Sequence, residues 1–323
     1  MSLLITGGAG YIGSHVVDLL EQRGERVVVL DDLSSGVADR LRAPLNRCDL
    51  AAPHAGFEVA AMMRAHHVTG VVHLAALKDV GESMADPESY WRVNVHGLGT
   101  LLSAMRTVGV RDLVFSSSAA VYGDADGAAV SEDGPCAPMN PYGESKLVGE
   151  WMLAAAARAW GLRYAALRYF NVAGSGSPEL ADRGRKNLIP IIIDEIRNGR
   201  SPQVFGTGHG TRDGSCVRDY VHVLDLANAH LDALDAICSG RFTGGAVNIG
   251  SGTGATVLEV VRAVGAELGT TVSPIVVEAR AGDPAALVAD VSRAADVLGW
   301  HPLLGLDRIV ESAVAGTLAT ATA

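Results

Sequence analysis

Tyr142 and Lys146 lie four residues apart in PYGESK, and Ser118 closes the run FSSS at 115–118. A four-residue spacing puts the phenol and the ammonium on one face of a helix. A tyrosine ordinarily ionises near pH ~10, and a neighbouring cation favours the phenolate and lowers that value. Tyr142 so placed can act as an acid–base near neutral pH, and Ser118 can hydrogen-bond the same substrate oxygen and share the proton transfer. Only three of the 26 basic side chains are lysines (Lys78, Lys146 and Lys186), so a lysine at this spacing is informative.

A second constellation sits at the start of the chain. Gly7, Gly10 and Gly13 have GxxGxxG spacing directly after the apolar run SLLIT. The first glycine permits a tight turn, the second lets backbone approach a pyrophosphate, and the third lets a helix pack on the strand. The pyrophosphate then rests on free N–H groups at the helix start. Asp31 follows 24 residues beyond Gly7, where a carboxylate accepts both adenosine ribose hydroxyls and repels a 2′-phosphate. No arginine occupies 32–34, so NAD is expected rather than NADP. Asp49 is placed to bond the adenine amine. A bound nicotinamide adds its positive charge to the pull on the Tyr142 proton. No metal is expected: the histidines show no HExxH spacing, and Cys48, Cys136, Cys216 and Cys238 show no CxxC. His15 and His222 read as packing residues with local hydrogen bonds.

These groups need a scaffold. Strands are predicted at 2–6, Val27–Leu30, a short run ending near Cys48 and Asp49, Gly70–Leu74, Asp112–Phe115, Arg163–Leu167 and Ala246–Ile249. Helices are predicted over about 12 residues from Tyr11, at 57–66, within Ser89–Val108, and at 143–160, 188–198, 222–237, 256–268 and 304–317. Residues 33–43, 172–187 and 206–217 read as turns and loops. Alternating strands and helices indicate α/β architecture, a Rossmann-type doubly wound, mostly parallel sheet with a smaller mixed α/β C-terminal lobe. The expected division is 1–170 for the dinucleotide domain, with 219–250 returning to it, and 171–218 plus 251–323 for the substrate lobe. Gly250, Gly252 and Gly254 imitate a second fingerprint but lack a βαβ context, and read as a turn.

The chain has 323 residues and a net charge of −10, with 26 basic against 36 acidic side chains. No basic block interrupts this, which excludes a nucleic-acid footprint. Apolar residues make up 48% and no long uncharged run occurs, so no membrane span is expected. Unpaired cysteines point to a reducing, cytoplasmic setting.

Taken together the motifs resemble the extended short-chain dehydrogenase/reductases, and within them the UDP-galactose (UDP-glucose) 4-epimerase family. The resemblance runs from TGGAGYIGSH at 6–15 to about residue 300. It takes in DDL at 31–33, HLAALKDVGES at 73–83, Asn94, Gly97, FSSSAAVYG, PYGESK, LRYFN at 167–171, NLIP at 187–190 and VRDYVHVLDLANAH at 217–230.

The resemblance implies inversion of the C4 hydroxyl of a UDP-hexose through a transient 4-keto sugar. Tyr142 would be the base at that hydroxyl, Ser118 its partner, and Lys146 the group on the nicotinamide ribose. Cofactor contacts are implied at Tyr11, Ile12, Asp32, Leu50, Leu74, Ala75, Ala76, Lys78, Asn94, Ser116 and Tyr169. Substrate contacts are implied at Lys78, Asn171, Asn187, Leu188, Gln203 and Phe205, with Arg218 and Arg280 on the diphosphate and Asp283 on the uridine ribose. Leu287 falls where residue size gates N-acetylhexosamines. The family's homodimer contact implies pairing through helices 89–108 and 143–160, where Leu101, Ala104, Leu153 and Ala157 form small apolar faces that suit either a subunit contact or internal packing. Epimerisation of other UDP-sugars and decarboxylation of UDP-glucuronate stand as alternatives. Dehydration is disfavoured because Ala119 and Ala120 offer no carboxylate after Ser118. A non-catalytic NAD-binding role is disfavoured because Tyr142 and Lys146 are both present.

Overall fold

The computed structural model describes residues 1–124, 129–184, 186–280 and 284–321. The chain opens with β1 (Ser2–Thr6), α1 (Tyr11–Gln22), β2 (Arg26–Asp31), β3 (Leu45–Arg47), α2 (Ala55–Ala65) and β4 (Gly70–His73). Next come α3 (Val80–Ala85), α4 (Pro87–Tyr90), a π-helical turn at Trp91–His96, α5 (Gly97–Val108), β5 (Asp112–Ser118), β6 (Ala129–Val130), α6 (Pro141–Trp160) and β7 (Arg163–Tyr169). The remainder is β8 (Asn171–Ala173), α7 (Leu188–Arg197), β9 (Gln203–Phe205), β10 (Val217–His222), α8 (Val223–Cys238), β11 (Ala246–Ile249), β12 (Gly254–Thr256) and α9 (Val257–Glu267). It ends with β13 (Ile275–Val277), β14 (Ala286–Ala289), α10 (Ser292–Leu298) and α11 (Leu306–Ala321).

Seven strands form one sheet in the order β11-β7-β5-β4-β1-β2-β3, and every pairing is parallel. Strands of such a sheet are covered on both faces, which explains continuous apolar runs such as LLI in β1 and VVVL in β2. One face packs α1 and α8 through Val16, Leu20, Leu226 and Leu234. The other packs α2, α5 and α6 through Val59, Met63, Leu101, Met105 and Leu153. Strand order reverses between β1 and β4, and the crevice beyond their carboxyl ends is where ligands bind in sheets of this kind.

A second sheet runs β12-β10-β14-β6, with β8 also paired to β10, and β9 pairs with β13. Its core, built on α7, α9 and α11, holds Ile189, Ile192, Val260, Val264 and Ile309. Sequence periodicity did not predict β6, β8–β10 or β12–β14. All but the six-residue β10 are two to four residues long, and each is ordered by a partner far along the chain. The glycines at 250–254 hold a carboxylate of their own chain: buried Asp219 accepts from Ser251 N at 2.6 Å, Gly252 N at 3.0 Å and Ala289 N at 3.1 Å. His15 and His222 each make one local bond, to Tyr11 O and from Leu224 N, and one to a distant segment, from Gly176 N and with Ser312 Oγ.

Internal packing prevails on the apolar faces of α5 and α6. Leu101, Ala104 and Leu153 do not face outward on α5 and α6; they are buried in the core against the sheet, and Ala157 is half-buried. The apolar stripe of each helix was claimed by the nearest sheet. The exposed apolar residue of α6 is Trp151, 62% exposed.

Candidate active site

The glycine turn is sterically specified. Gly7 has φ +72°, and a Cβ there would lie 2.6 Å from Ala75 N. A Cβ at Gly13 would lie 2.2 Å from Gly7 O, so only glycine lets α1 approach β1. Gly10 caps α1 without any side-chain bond, which leaves first-turn N–H groups for a ligand. Asp31 closes β2 and is buried, accepting from Ala9 N at 3.0 Å and Leu33 N at 2.9 Å. Burial raises its carboxyl above the usual range, against the pull of those two N–H groups. This cradle, shaped where side chains cannot fit, suits a dinucleotide.

Tyr142 sits in the first turn of α6. Asn140 caps that helix by accepting from Gly143 N at 2.9 Å, and Pro141 stands where a missing N–H costs nothing. The phenol is buried, and Ser118 is near enough to favour its ionised form. Lys146, one turn on, is 4% exposed; its Nζ donates to Ser116 O at 2.9 Å and lies 5.9 Å from the Tyr142 ring centre. The Lys146 ammonium does not by itself bring the Tyr142 phenol down. Burial raises the phenol, and Ser118 only offsets part of this. Burial also brings the Lys146 ammonium down to about 7. Desolvation penalises both charged forms before any ligand arrives.

One cavity of about 600 Å³ joins these parts. Gly7, Gly10, Tyr11, Ile12, Gly13, Asp31, Asp32, Asp49, Leu50, Leu74, Ala75, Ala76, Lys78, Tyr142, Lys146, Tyr169 and Asn187 line it. Asn94 and Ser116 stand behind the wall. Asn94 holds Leu77 from both sides, at 2.8 Å and 3.0 Å, and donates to Ser145 Oγ at 2.9 Å. It thereby ties the Lys78 loop to α6. Ser116 Oγ meets His230 Nε2 at 3.1 Å.

The other expected sugar contacts do not line this cavity. Asn171 lies in β8 beside Tyr220 of β10, and Leu188 opens α7. Arg218 donates to the carbonyls of Val217 and Pro284. Gln203 and Phe205 belong to β9, and the Arg280 guanidinium lies 3.7 Å from the Phe205 ring centre. Asp283 falls outside the described residues. Leu287 packs on the cluster of Ala119, Val121, Tyr122 and Phe170, and buried Ser118 does not line the cavity either.

Several residues were not anticipated. Arg40, Glu82, Asp182, Arg183 and Lys186 line the cavity, and Lys186 reaches Asp79 at 3.2 Å and Glu82 at 3.1 Å. The scarcity of lysine was the one signal for Lys186. Beneath the site, Glu150 forms a buried bidentate pair with Arg168 at 2.9 Å and 2.6 Å, and also accepts from Ser117 Oγ at 2.6 Å. Glu150 lies two turns from Tyr142 on the same helix face, so the helical period could have flagged it. Among the described residues no three His, Cys, Asp or Glu side chains are grouped to hold a metal ion. No helix is long and apolar enough to cross a membrane.

Residues 3–250 match the NAD dependent epimerase/dehydratase family. A UDP-glucose 4-epimerase of Lacticaseibacillus casei is 42% identical over 324 residues, covering 97% of this chain and 96% of that one. The solved UDP-glucose 4-epimerase of Stenotrophomonas maltophila, with bound NAD and formylated UDP-arabinopyranose, superposes with a TM-score of 0.95 at 38% identity, over 100% of this chain and 99% of that one. The Bifidobacterium longum UDP-glucose 4-epimerase, in complex with NAD+ and UDP, gives 0.91 at 31% identity, over 99% of each.

Proposed function

The chain belongs to the NAD dependent epimerase/dehydratase family, and on that premise we propose that it interconverts UDP-galactose and UDP-glucose by NAD-dependent inversion at C4. The observation that carries this reading is a single cavity lined at once by the glycine turn, Asp31, Lys146 and the Tyr142 phenol.

The glycine turn and the α1 N-terminus hold the dinucleotide diphosphate, and Asp31 takes the adenosine ribose. NAD bound there supplies a two-electron acceptor that oxidises the sugar C4 carbon and then returns the electrons. Tyr142 Oη accepts the proton of the C4 hydroxyl and later gives it back to the C4 oxygen, once the 4-keto sugar has turned its other face so that C4 is reduced from the opposite side. Ser118 Oγ holds the same oxygen and bonds the phenol. Lys146 faces Tyr142 from the next turn, and its ammonium, destabilised by burial, gains from any acceptor a bound ribose brings. Burial penalises the Tyr142 phenolate, a penalty that the positive charge of an oxidised nicotinamide would offset, so Tyr142 would act as a base with the oxidant bound. The hexose must present both faces to one phenol, so the nucleotide is the part gripped. Arg218 and Arg280 serve the UDP diphosphate in this scheme.

The exposed Trp151 on α6, beside α5, supports pairing of two copies through these helices. The four cysteines are free, which supports a cytoplasmic setting. The test is incubation with UDP-galactose, UDP-N-acetylglucosamine and UDP-glucuronate separately, without added NAD, followed by chromatography. A 4-epimer of the hexose without release of NADH is expected. Release of carbon dioxide with a UDP-pentose, or a stable 4-keto-6-deoxy sugar, would overturn the assignment.

A further inference from the structure

Arg40 has no place in the scheme above. It ends a 3-10 turn, Ala38–Arg40, beyond β2. It is half-buried, lines the cavity with Gly10 and Tyr11, and has no ion pair among the described residues. Its Nη2 donates to Ala181 O at 2.6 Å, while its Nε is buried without any hydrogen-bond partner. A second guanidinium, Arg183, lines the same cavity and disfavours the charge on Arg40, on which burial is the larger penalty. The one carboxylate between them, Asp182, is already engaged by Gly184 N at 2.9 Å and Asn187 Nδ2 at 2.6 Å.

Two more bonds join the same segment to α1. Tyr11 Oη donates to Gly174 O at 2.6 Å, and Gly176 N donates to His15 Nε2 at 2.9 Å. Residues 174–181 are thus strapped to the nucleotide half at three points, all beside the glycine turn. Two guanidiniums there share the single negative charge of Asp182, and Arg40 Nε is left without an acceptor, so the site has room for a further anion.

We propose that Arg40, steadied by the Ala181 carbonyl and assisted by Arg183, is an arm that binds the diphosphate of the dinucleotide from the side opposite the glycine turn. Retention of the cofactor is thereby coupled to docking of the 174–181 strap. The inference rests on the NAD reading above. A UDP-sugar also carries a diphosphate, so the test separates the two.

Purified protein would be dialysed at length and its NAD content read by chromatography after denaturation, with UDP affinity measured by calorimetry. Arg40→Gln is expected to release NAD about tenfold faster or more than the wild type, with UDP affinity within about twofold. Arg40→Lys should fall between them, and higher salt should speed release from the wild type more than from Arg40→Gln. Arg183→Gln, at an exposed side chain, should release NAD several-fold faster and gives a readout if Arg40→Gln does not fold. Unchanged release in the folded variants overturns the proposal, as does loss of UDP affinity with NAD retained. A wild type that neither carries nor binds NAD sinks the functional reading itself, a result distinct from a loaded wild type with indifferent variants.

Discussion

The two walls of the cavity are made of different material. The nucleotide wall is mainly backbone at the ends of adjacent strands, in a register where Thr6 pairs with both Leu30 and His73. Residues from five separated segments arrive there together. The opposite wall is side chains, among them Glu82, Asp182, Arg183, Lys186 and Asn187; of the sugar contacts expected beyond Lys78 and Tyr142 only Asn187 lines the cavity, and the segments at 203–205, 218 and 280 lie outside it. Arg280 rests on Phe205 at the surface. The difference matches the work. The dinucleotide stays through every turnover and suits a rigid cradle, whereas the sugar nucleotide must enter, turn and leave.

The contrast breaks hardest at Tyr142. Tyr142→Phe should cut kcat by about a thousandfold, within the usual range for an acid–base group, while NAD content stays at the wild-type level. Retention of a tenth of the activity would remove the phenol from its assigned role. Next come the ion pairs. Glu150→Ala strands Arg168 beneath the nucleotide wall and should cost about 3–5 kcal/mol in urea unfolding. Glu82→Gln, at the exposed pair with Lys186, should cost less than about 1 kcal/mol. Similar losses at both would mean that the two walls are equally rigid.

Acid offers a finer probe. Burial holds His73 down to about 3 and His230 to about 4, against an ordinary 6.5. Below about 6.5 the unfolded chain binds protons that the folded chain refuses, so stability should fall as pH drops from 6.5 towards 4. His230→Gln should flatten part of that slope in thermal melts; an unchanged slope would assign the acid sensitivity elsewhere. The smallest stability effect is expected at Arg280. Arg280→Ala should shift unfolding by no more than about 1 kcal/mol, yet raise KM for the UDP-sugar about tenfold with kcat nearly kept. A fall in kcat alone would move Arg280 from binding into the chemistry.

Much of the nucleotide wall was legible in the sequence. Its signals are local: apolar strand runs, glycines whose neighbours leave no room for a Cβ, and a tyrosine and lysine one helical turn apart. Gly7 and Gly13 could be placed from spacing alone because the turn has few solutions. Leu101 and Leu153 were left open because an apolar stripe fits a core or a subunit contact equally well. The short strands of the second sheet left no periodic trace, since two to four residues carry too little pattern.

The amino-acid order by itself determined the alternation of strands and helices, the glycine turn and the spacing of Tyr142 from Lys146. Each of these is settled by steric and helical constraints within a few residues. Only the tertiary structure decided that Arg40 meets Ala181 and that Glu150 meets Arg168 beneath the site. It also decided that burial sets the proton affinity of Tyr142 before any ligand does. Those outcomes depend on which distant segments exclude water from one another, a property of the packed whole that no short stretch of chain contains.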